Sequence, residues 1–157
     1  MTDCTFRPLT ATNLPILEEF LYLAIFLPPG AAALPWDIIY KPEIYVYAEG
    51  FGGLDDCGVL AERGGQPLGA AWARIIPAFG HINDETPELA IAVLPQERGR
   101  GLGTALLAAL FETLRARGVR QTSLSVQKEN PAARLYRRVG YEIVGENEED
   151  YIMVKRL

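Results

Sequence analysis

Histidine is almost missing from this 157-residue chain, which has only His81, and cysteine is nearly as scarce, with Cys4 and Cys57. These are too few for a metal cluster or a disulfide framework, so no metal is expected and both thiols should be buried or idle. Basic charge is also short. Fifteen Lys and Arg face 20 Asp and Glu, a net charge of −5, and no basic stripe is present, which argues against a nucleic-acid partner. No apolar run reaches the ~20 residues that cross a membrane. The opening Met1-Thr2-Asp3-Cys4 lacks the charged and apolar regions of a signal peptide, so a cytoplasmic protein without a membrane partner is expected. Repeats, linkers and low-complexity segments are absent, and the length suits one domain over residues 1–157.

What is present concentrates between Leu89 and Gly118. An apolar run, Leu89 to Leu94, closes at Pro95 and reads as a buried strand. From Leu102 the chain is rich in alanine and leucine, and Leu102, Leu106, Leu110 and Leu114 recur at helical spacing beside Ala105 and Ala109. Arg115 and Arg117 suit the last turn, and Gly118 suits a left-handed stop. Between strand and helix lie Arg98, Gly99, Arg100, Gly101 and Gly103. The first amides of a helix lack internal partners, and glycines let the main chain approach a bulky anion. The spacing therefore points to phosphate or pyrophosphate.

Two common phosphate folds fail on context. A P-loop needs lysine before its Ser/Thr, and none separates Gly103 from Thr104. A dinucleotide fold needs an acidic residue closing the next strand, which here ends at Ser125-Val126-Gln127, with Glu129 the first carboxylate.

A third reading fits. Arg98 to Gly103 resembles the Gln/Arg-x-x-Gly-x-Gly/Ala signature of the GNAT superfamily of N-acetyltransferases. A second segment, Asn130-Pro131-Ala132-Ala133-Arg134-Leu135-Tyr136 through Gly140-Tyr141, resembles that family's Asn-x-x-Ala-x-x-Leu/Phe-Tyr-x-x-x-Gly-Phe/Tyr pattern. The resemblance is clear from about Glu88 onward. It implies a mixed α/β fold with a central, mostly antiparallel, splayed sheet flanked by helices.

The chain order agrees with that fold. Phe6 to Leu9 reads as a strand. A helix capped by Thr12 or Asn13 runs from Leu14 to a stop at Pro28-Pro29-Gly30. Residues 35–47 read as helix interrupted near Pro42, with strand an equal alternative for Ile44 to Tyr47. Gly58–Arg63 and Pro67–Ile76, around Gly64-Gly65-Gln66, make a hairpin. A polar loop to Pro87, the central strand, the long helix and a strand from Gln121 follow. Asn130 caps a short helix ending at Gly140, and a last hairpin spans the acidic loop 146–150.

The resemblance also assigns a site. It implies acetyl-CoA as co-substrate, with its pyrophosphate on amides from Arg98, Gly99, Arg100, Gly101, Leu102, Gly103 and Thr104. The backbones of Ile91 and Val93 would face the acetyl group and pantetheine, and Asn130 would contact the arm. Tyr136 matches the tyrosine near the acetyl-CoA sulfur and would assist departure of the thiolate. A base is less defined. Glu88 opens the central strand, with Asp84, Glu85, Glu129 and a water chain as rivals, and a solvent-exposed carboxylate is the plain alternative. Trp36, Tyr40, Tyr45, Tyr47 and Phe51 offer aromatic surface for a cationic amine. The reading is acetyl transfer to a small-molecule or peptide amine in a ternary complex. Either a monomer or a homodimer is compatible with it. A non-catalytic acyl-CoA sensor, or a structural anion-binding domain, are the alternatives.

Overall fold

A computed structural model describes residues 4–157. Seven strands form one sheet: β1 (Thr5–Pro8), β2 (Cys57–Arg63), β3 (Gln66–Arg74), β4 (Glu88–Val93), β5 (Gln121–Gln127), β6 (Glu142–Glu146) and β7 (Asp150–Arg156). Four helices accompany them: α1 (Leu14–Ala24), α2 (Pro42–Tyr45), α3 (Leu102–Ala116) and α4 (Ala132–Arg138). The sheet order is β1-β2-β3-β4-β5-β7-β6. Every neighbouring pair is antiparallel except β4 and β5. Fold class and element order agree with the expectation from sequence.

Each face of the sheet carries its own core. On one, α3 packs Leu106, Leu107, Leu110, Phe111 and Leu114 against Val59, Ala71, Leu89 and Leu124. On the other, α1 packs Leu17, Phe20 and Leu21 against Leu60, Ala70, Trp72 and Ala92. Alternation along β3 and β4 assigns neighbours to opposite cores. Burying each such leucine or phenylalanine contributes ~1.5–3 kcal/mol. The stripe at Leu106, Leu110 and Leu114 forms as expected, widened by Leu107 and Phe111.

Three local readings need correction. Helix α1 ends at Ala24, because Ile25 turns extended at ψ 120°, well before the prolines. The freed Ile25, Phe26 and Leu27 become a wall described below. Residues 36–40 make a 3-10 turn and Pro42–Tyr45 a short helix, so the strand alternative at Ile44 to Tyr47 is not realised. Pro42 starts that helix, where its missing N–H costs nothing. Asn13 does not cap α1 through its side chain, which instead accepts the Thr10 amide at 2.9 Å.

Arg74 fixes the α2 region to the sheet. Its guanidinium donates to Asp56 at 2.9 and 3.2 Å and to the carbonyls of Val46 and Glu49 at 2.9 and 2.8 Å. Burial by itself would raise the Asp56 pKa. Arg74, with the amides of Gly52 and Gly53, outweighs it and holds the carboxyl below its ordinary value.

Candidate active site

Strands β4 and β5 part almost as soon as they meet. Their ladder holds one register pair, Glu88↔Ser123, continued by the Ser123 amide donating to the Pro87 carbonyl at 3.0 Å. Each strand is held elsewhere. All six residues of β4 pair with β3, and all seven of β5 pair with β7. The Leu94 amide donates to the Leu68 carbonyl at 2.9 Å, directly opposite it in the β3–β4 register. Even-numbered residues of β4 therefore turn their main-chain groups to β3, and Leu89, Ile91 and Val93 turn theirs to β5. At Ile91 and Val93, β5 has already moved away. The main chain there faces a gap.

That gap opens into a groove of about 880 Å³. Ile91, Ala92 and Val93 form its floor, and Arg98, Gly99, Gly101, Leu102, Gly103 and Thr104 form one end. Asn130, Leu135, Tyr136 and Arg138 make the α4 wall, and Tyr22 to Leu27 with Leu34 make the opposite wall. Most of the site residues implied by the resemblance thus line one groove. Arg100 and Glu88 do not line it. Sequence reasoning missed the apolar α1 wall, because Ile25 to Leu27 read as a continuation of a helix face.

Gly101 caps α3 at φ 84° and Gly99 sits at φ 75°. Both conformations favour glycine, and no atom lies within 4 Å of where either Cβ would stand. The first helical hydrogen bond runs from the Ala105 amide to the Gly101 carbonyl at 3.1 Å, leaving the amides of Leu102, Gly103 and Thr104 without helical acceptors. Open space before unpartnered amides at a helix start fits a phosphate group. The arginines are both exposed. The Arg98 Nε donates to the Val93 carbonyl at 3.3 Å, and Arg100 lies 4.0 Å from Glu97. Glu97, buried beneath this turn, pairs with Arg63 at 3.1 and 3.2 Å and ties the turn to β2. The Arg63 hydrogen bond holds Glu97 below the usual carboxylate range. A carboxylate beneath this turn gave no sequence signal, since its partner is 34 residues away.

Asn130 accepts the Ala132 amide at 2.9 Å through its side chain, but α4 begins at Ala132 with Pro131 in the cap position, one residue later than the sequence suggested. Tyr136 lies on α4, 9% exposed, with its ring edge-on to Tyr141 at 5.8 Å. Burial pushes its phenol up to about 12, and the hydroxyl makes no hydrogen bond among the described residues. Tyr141 is core, stacked also near Phe111.

Glu88 is not the exposed carboxylate offered as its plain alternative: it is 1% exposed. Its Oε2 accepts the Tyr47 hydroxyl and the Gly80 amide, the latter at 2.7 Å, while Oε1 is buried without a partner. Gly80 must be glycine, because a Cβ would stand 2.7 Å from the Leu124 carbonyl carbon. Desolvation raises the Glu88 pKa against the lowering effect of Tyr47 and Gly80. Of the rivals, Asp84 faces His81 at 3.4 Å, Glu85 borders a second cleft near Arg117 and Arg120, and Glu129 lines the groove that Glu88 does not. Phe51 is core under Arg74 rather than groove wall, and Trp36 packs on Tyr22. Cys57 is buried, with its thiol raised by burial, and Cys4 is half-buried; both are free. Among the described residues no helix is long and apolar enough to cross a membrane.

The model of the acetyltransferase (GNAT) family matches residues 23–141. The chain belongs to this family. Two curated relatives are acetyltransferases of known name. Mycothiol acetyltransferase of Thermobispora bispora is 39% identical over 84 residues, covering 52% of this chain and 28% of that protein. The L-methionine sulfoximine/L-methionine sulfone acetyltransferase of Pseudomonas aeruginosa is 40% identical over 90 residues, covering 56% and 51%. The GNAT chain therefore matches only about a quarter to a half of these relatives' length. Solved structures share the fold end to end. PaiA N-acetyltransferase from Thermoplasma acidophilum, in complex with coenzyme A, superposes with a TM-score of 0.71 at 18% identity over 99% of this chain and 100% of that one. The ribosomal-protein-S18-alanine N-acetyltransferase from Escherichia coli gives 0.68 at 24% identity over 98% and 93%.

The buried carboxyl makes the stability of this GNAT domain depend on pH. A carboxyl raised above its unfolded value stabilises the fold while protonated, and that contribution is lost as pH rises through the folded pKa. Glu88→Gln removes the titration. Its stability relative to the parent should grow as pH rises from 4 toward 8, by about 1.4 kcal/mol per unit of upward shift. Urea unfolding of both proteins across that range checks it. A constant difference would contradict the buried, raised carboxyl.

Proposed function

We propose that residues 1–157 act as one cytoplasmic acetyltransferase domain that moves the acetyl group of acetyl-CoA to an amine of a small molecule or peptide. The observation that carries this reading is the gap beside Ile91 and Val93, continuous in one groove with the glycine turn. Acetyl-CoA supplies an activated acyl carbon: the amine nitrogen bonds to it, the carbon–sulfur bond breaks, the amine gives up a proton and the sulfur gains one.

The chain's part is to bind, orient and move those protons. Amides from Arg98 to Thr104 hold the pyrophosphate, with the Thr104 hydroxyl beside them and the exposed Arg98 and Arg100 side chains secondary. The main chain of Ile91 and Val93 pairs with the amide-rich arm much as an added strand would. One N–H aimed at the thioester oxygen is worth ~3 kcal/mol to the transition state. Asn130 completes the wall along the arm. Tyr136 stays protonated throughout the physiological range, because burial holds its phenol up at about 12. A buried phenol with a free O–H is suited to donate to a departing thiolate. Glu88 lies three residues, about 10 Å, from Ile91 along β4, so it takes the amine proton through water rather than directly. The acceptor lies toward the Tyr22 to Leu27 wall.

Acetyl-CoA and CoA should raise the melting temperature and NAD should not, since a ligand at a hundredfold excess over its Kd adds about 2.7 kcal/mol. Gly101→Val should abolish the shift, because a branched residue resists φ 84° and fills the phosphate space. A parent protein whose melting ignores CoA would end this reading.

Tyr136→Phe keeps the ring and deletes the proton donor. Cofactor affinity should barely change, while the single-turnover rate with a working amine falls ~10²-fold or more. Parent-like single-turnover rates would make Tyr136 a core residue only.

A further inference from the structure

Tyr47 follows α2 and is far in sequence from both signatures, yet its hydroxyl donates to Oε2 of Glu88. The same oxygen receives the Gly80 amide, and Oε1 receives nothing. Two donors on one oxygen and none on the other is an asymmetric arrangement for a buried carboxylate. It leaves Oε1 as the oxygen whose lone pairs no donor occupies. We propose that Tyr47 is a positioning residue for proton transfer: it fixes Glu88 through Oε2 and leaves Oε1 as the basic atom. This rests on the reading of Glu88 as the base.

Other groups around Glu88 are committed elsewhere. Arg74, its cross-strand neighbour on β3, is bound to Asp56 and to the carbonyls of Val46 and Glu49. In the loop before β4, the His81 ring contacts the Ile76 carbonyl at 2.9 Å and Asp84 at 3.4 Å; only when protonated does it favour ionised Glu88. The Ser123 hydroxyl on β5 donates to the Gly80 carbonyl at 2.7 Å. Asp150 on β7 acts on Tyr47, not as a donor. Among the described residues, Tyr47 is thus the one side chain that donates to Glu88. Burial, reinforced by Glu88, pushes the Tyr47 phenol far above its ordinary value, so it remains a donor at any working pH.

Tyr47 is also well held. The Trp72 indole N–H donates to its carbonyl at 2.9 Å, and Arg74 clamps the flanking Val46 and Glu49. Tyr47→Phe should therefore keep the ring in place and remove the bond to Glu88, together with the Phe79 amide's interaction with the same hydroxyl.

The experiment is a carbon-13 NMR titration of the Glu88 carboxyl, assigned with Glu88→Gln, in the CoA-bound protein. It is run for the parent, Tyr47→Phe, and a variant carrying monofluorinated tyrosine at position 47. Loss of the donor should raise the midpoint by about one unit, and the more acidic fluorophenol should lower it. The acid limb of kcat should move in the same directions, measured with L-methionine sulfone, 2-phenylethylamine or an alanine-terminated peptide, whichever is acetylated. Activity lost by Tyr47→Phe at low pH should return as pH rises. A purely structural tyrosine would give a loss of equal size at every pH. A Glu88 midpoint that ignores both substitutions overturns the positioning role even if Glu88→Gln abolishes the acid limb. An acid limb that survives Glu88→Gln removes the base itself, and the role of Tyr47 with it. If the phenylalanine variant folds poorly, the fluorotyrosine protein gives the decisive midpoint.

Discussion

The site depends on one strand whose backbone is paired on a single edge. Strand β4 gives every even-numbered main-chain group to β3, while the odd-numbered groups beyond Leu89 face a partner that has swung away. A buried amide or carbonyl left unpaired costs ~1–3 kcal/mol, so a sheet opens this way only where water or a ligand takes over. The opening is built by the outer strands. β3 holds one arm of the V and β7 the other, each along its whole length. The closed end is pinned near Pro87, whose carbonyl accepts the Ser123 amide and the Thr122 hydroxyl, at 3.0 and 2.9 Å. Helices then line what the strands leave: α3 brings its unpartnered amides to one end, and α4 brings Asn130 and Tyr136 to one side.

On the proposed reading, a chain with net charge −5 would bind a polyanion here through local design rather than overall attraction. The glycine turn offers main-chain dipoles. The one carboxylate beneath it, Glu97, is neutralised by Arg63. At the other end of β4 a second carboxylate, Glu88, is held at one oxygen by Tyr47 and the Gly80 loop. The two acids differ in their partners. Glu97 meets a cation and is held ionised, whereas Glu88 meets only neutral donors and is pushed toward its neutral form. Environments that drive two acids apart in this way support the proposed split between a structural Glu97 and a proton-transferring Glu88.

Much of this was legible in the sequence because it is local. Helix α3 declares itself through leucines every four residues. The glycines at 99 and 101 mark a backbone that only glycine adopts easily, and Asn130-Pro131 marks a helix start. Element order followed from such signals. What escaped depends on contacts across the chain. The burial of Glu88 requires Tyr47, 41 residues earlier, and a glycine in a loop that reads as merely polar. The Arg63–Glu97 tie spans 34 residues. The end of α1 escaped for a different reason: Ile25, Phe26 and Leu27 are as apolar as the helix before them, and only the groove they line distinguishes them. Residues 44–47 carried both periods at once, and Pro42 with the Arg74 clamp settled them as helix and turn.

Amide hydrogen exchange along β4 tests the central claim most directly. In the free protein, protection should alternate, with Ala90 and Ala92 slow because they pair with β3, and Ile91 and Val93 fast because they face the gap. Acetyl-CoA should erase the alternation by slowing Ile91 and Val93 about tenfold or more, with Leu102, Gly103 and Thr104 slowing alongside. Uniform protection along β4 before ligand, or Ile91 and Val93 amides that stay fast with acetyl-CoA bound, would contradict a backbone built to receive it.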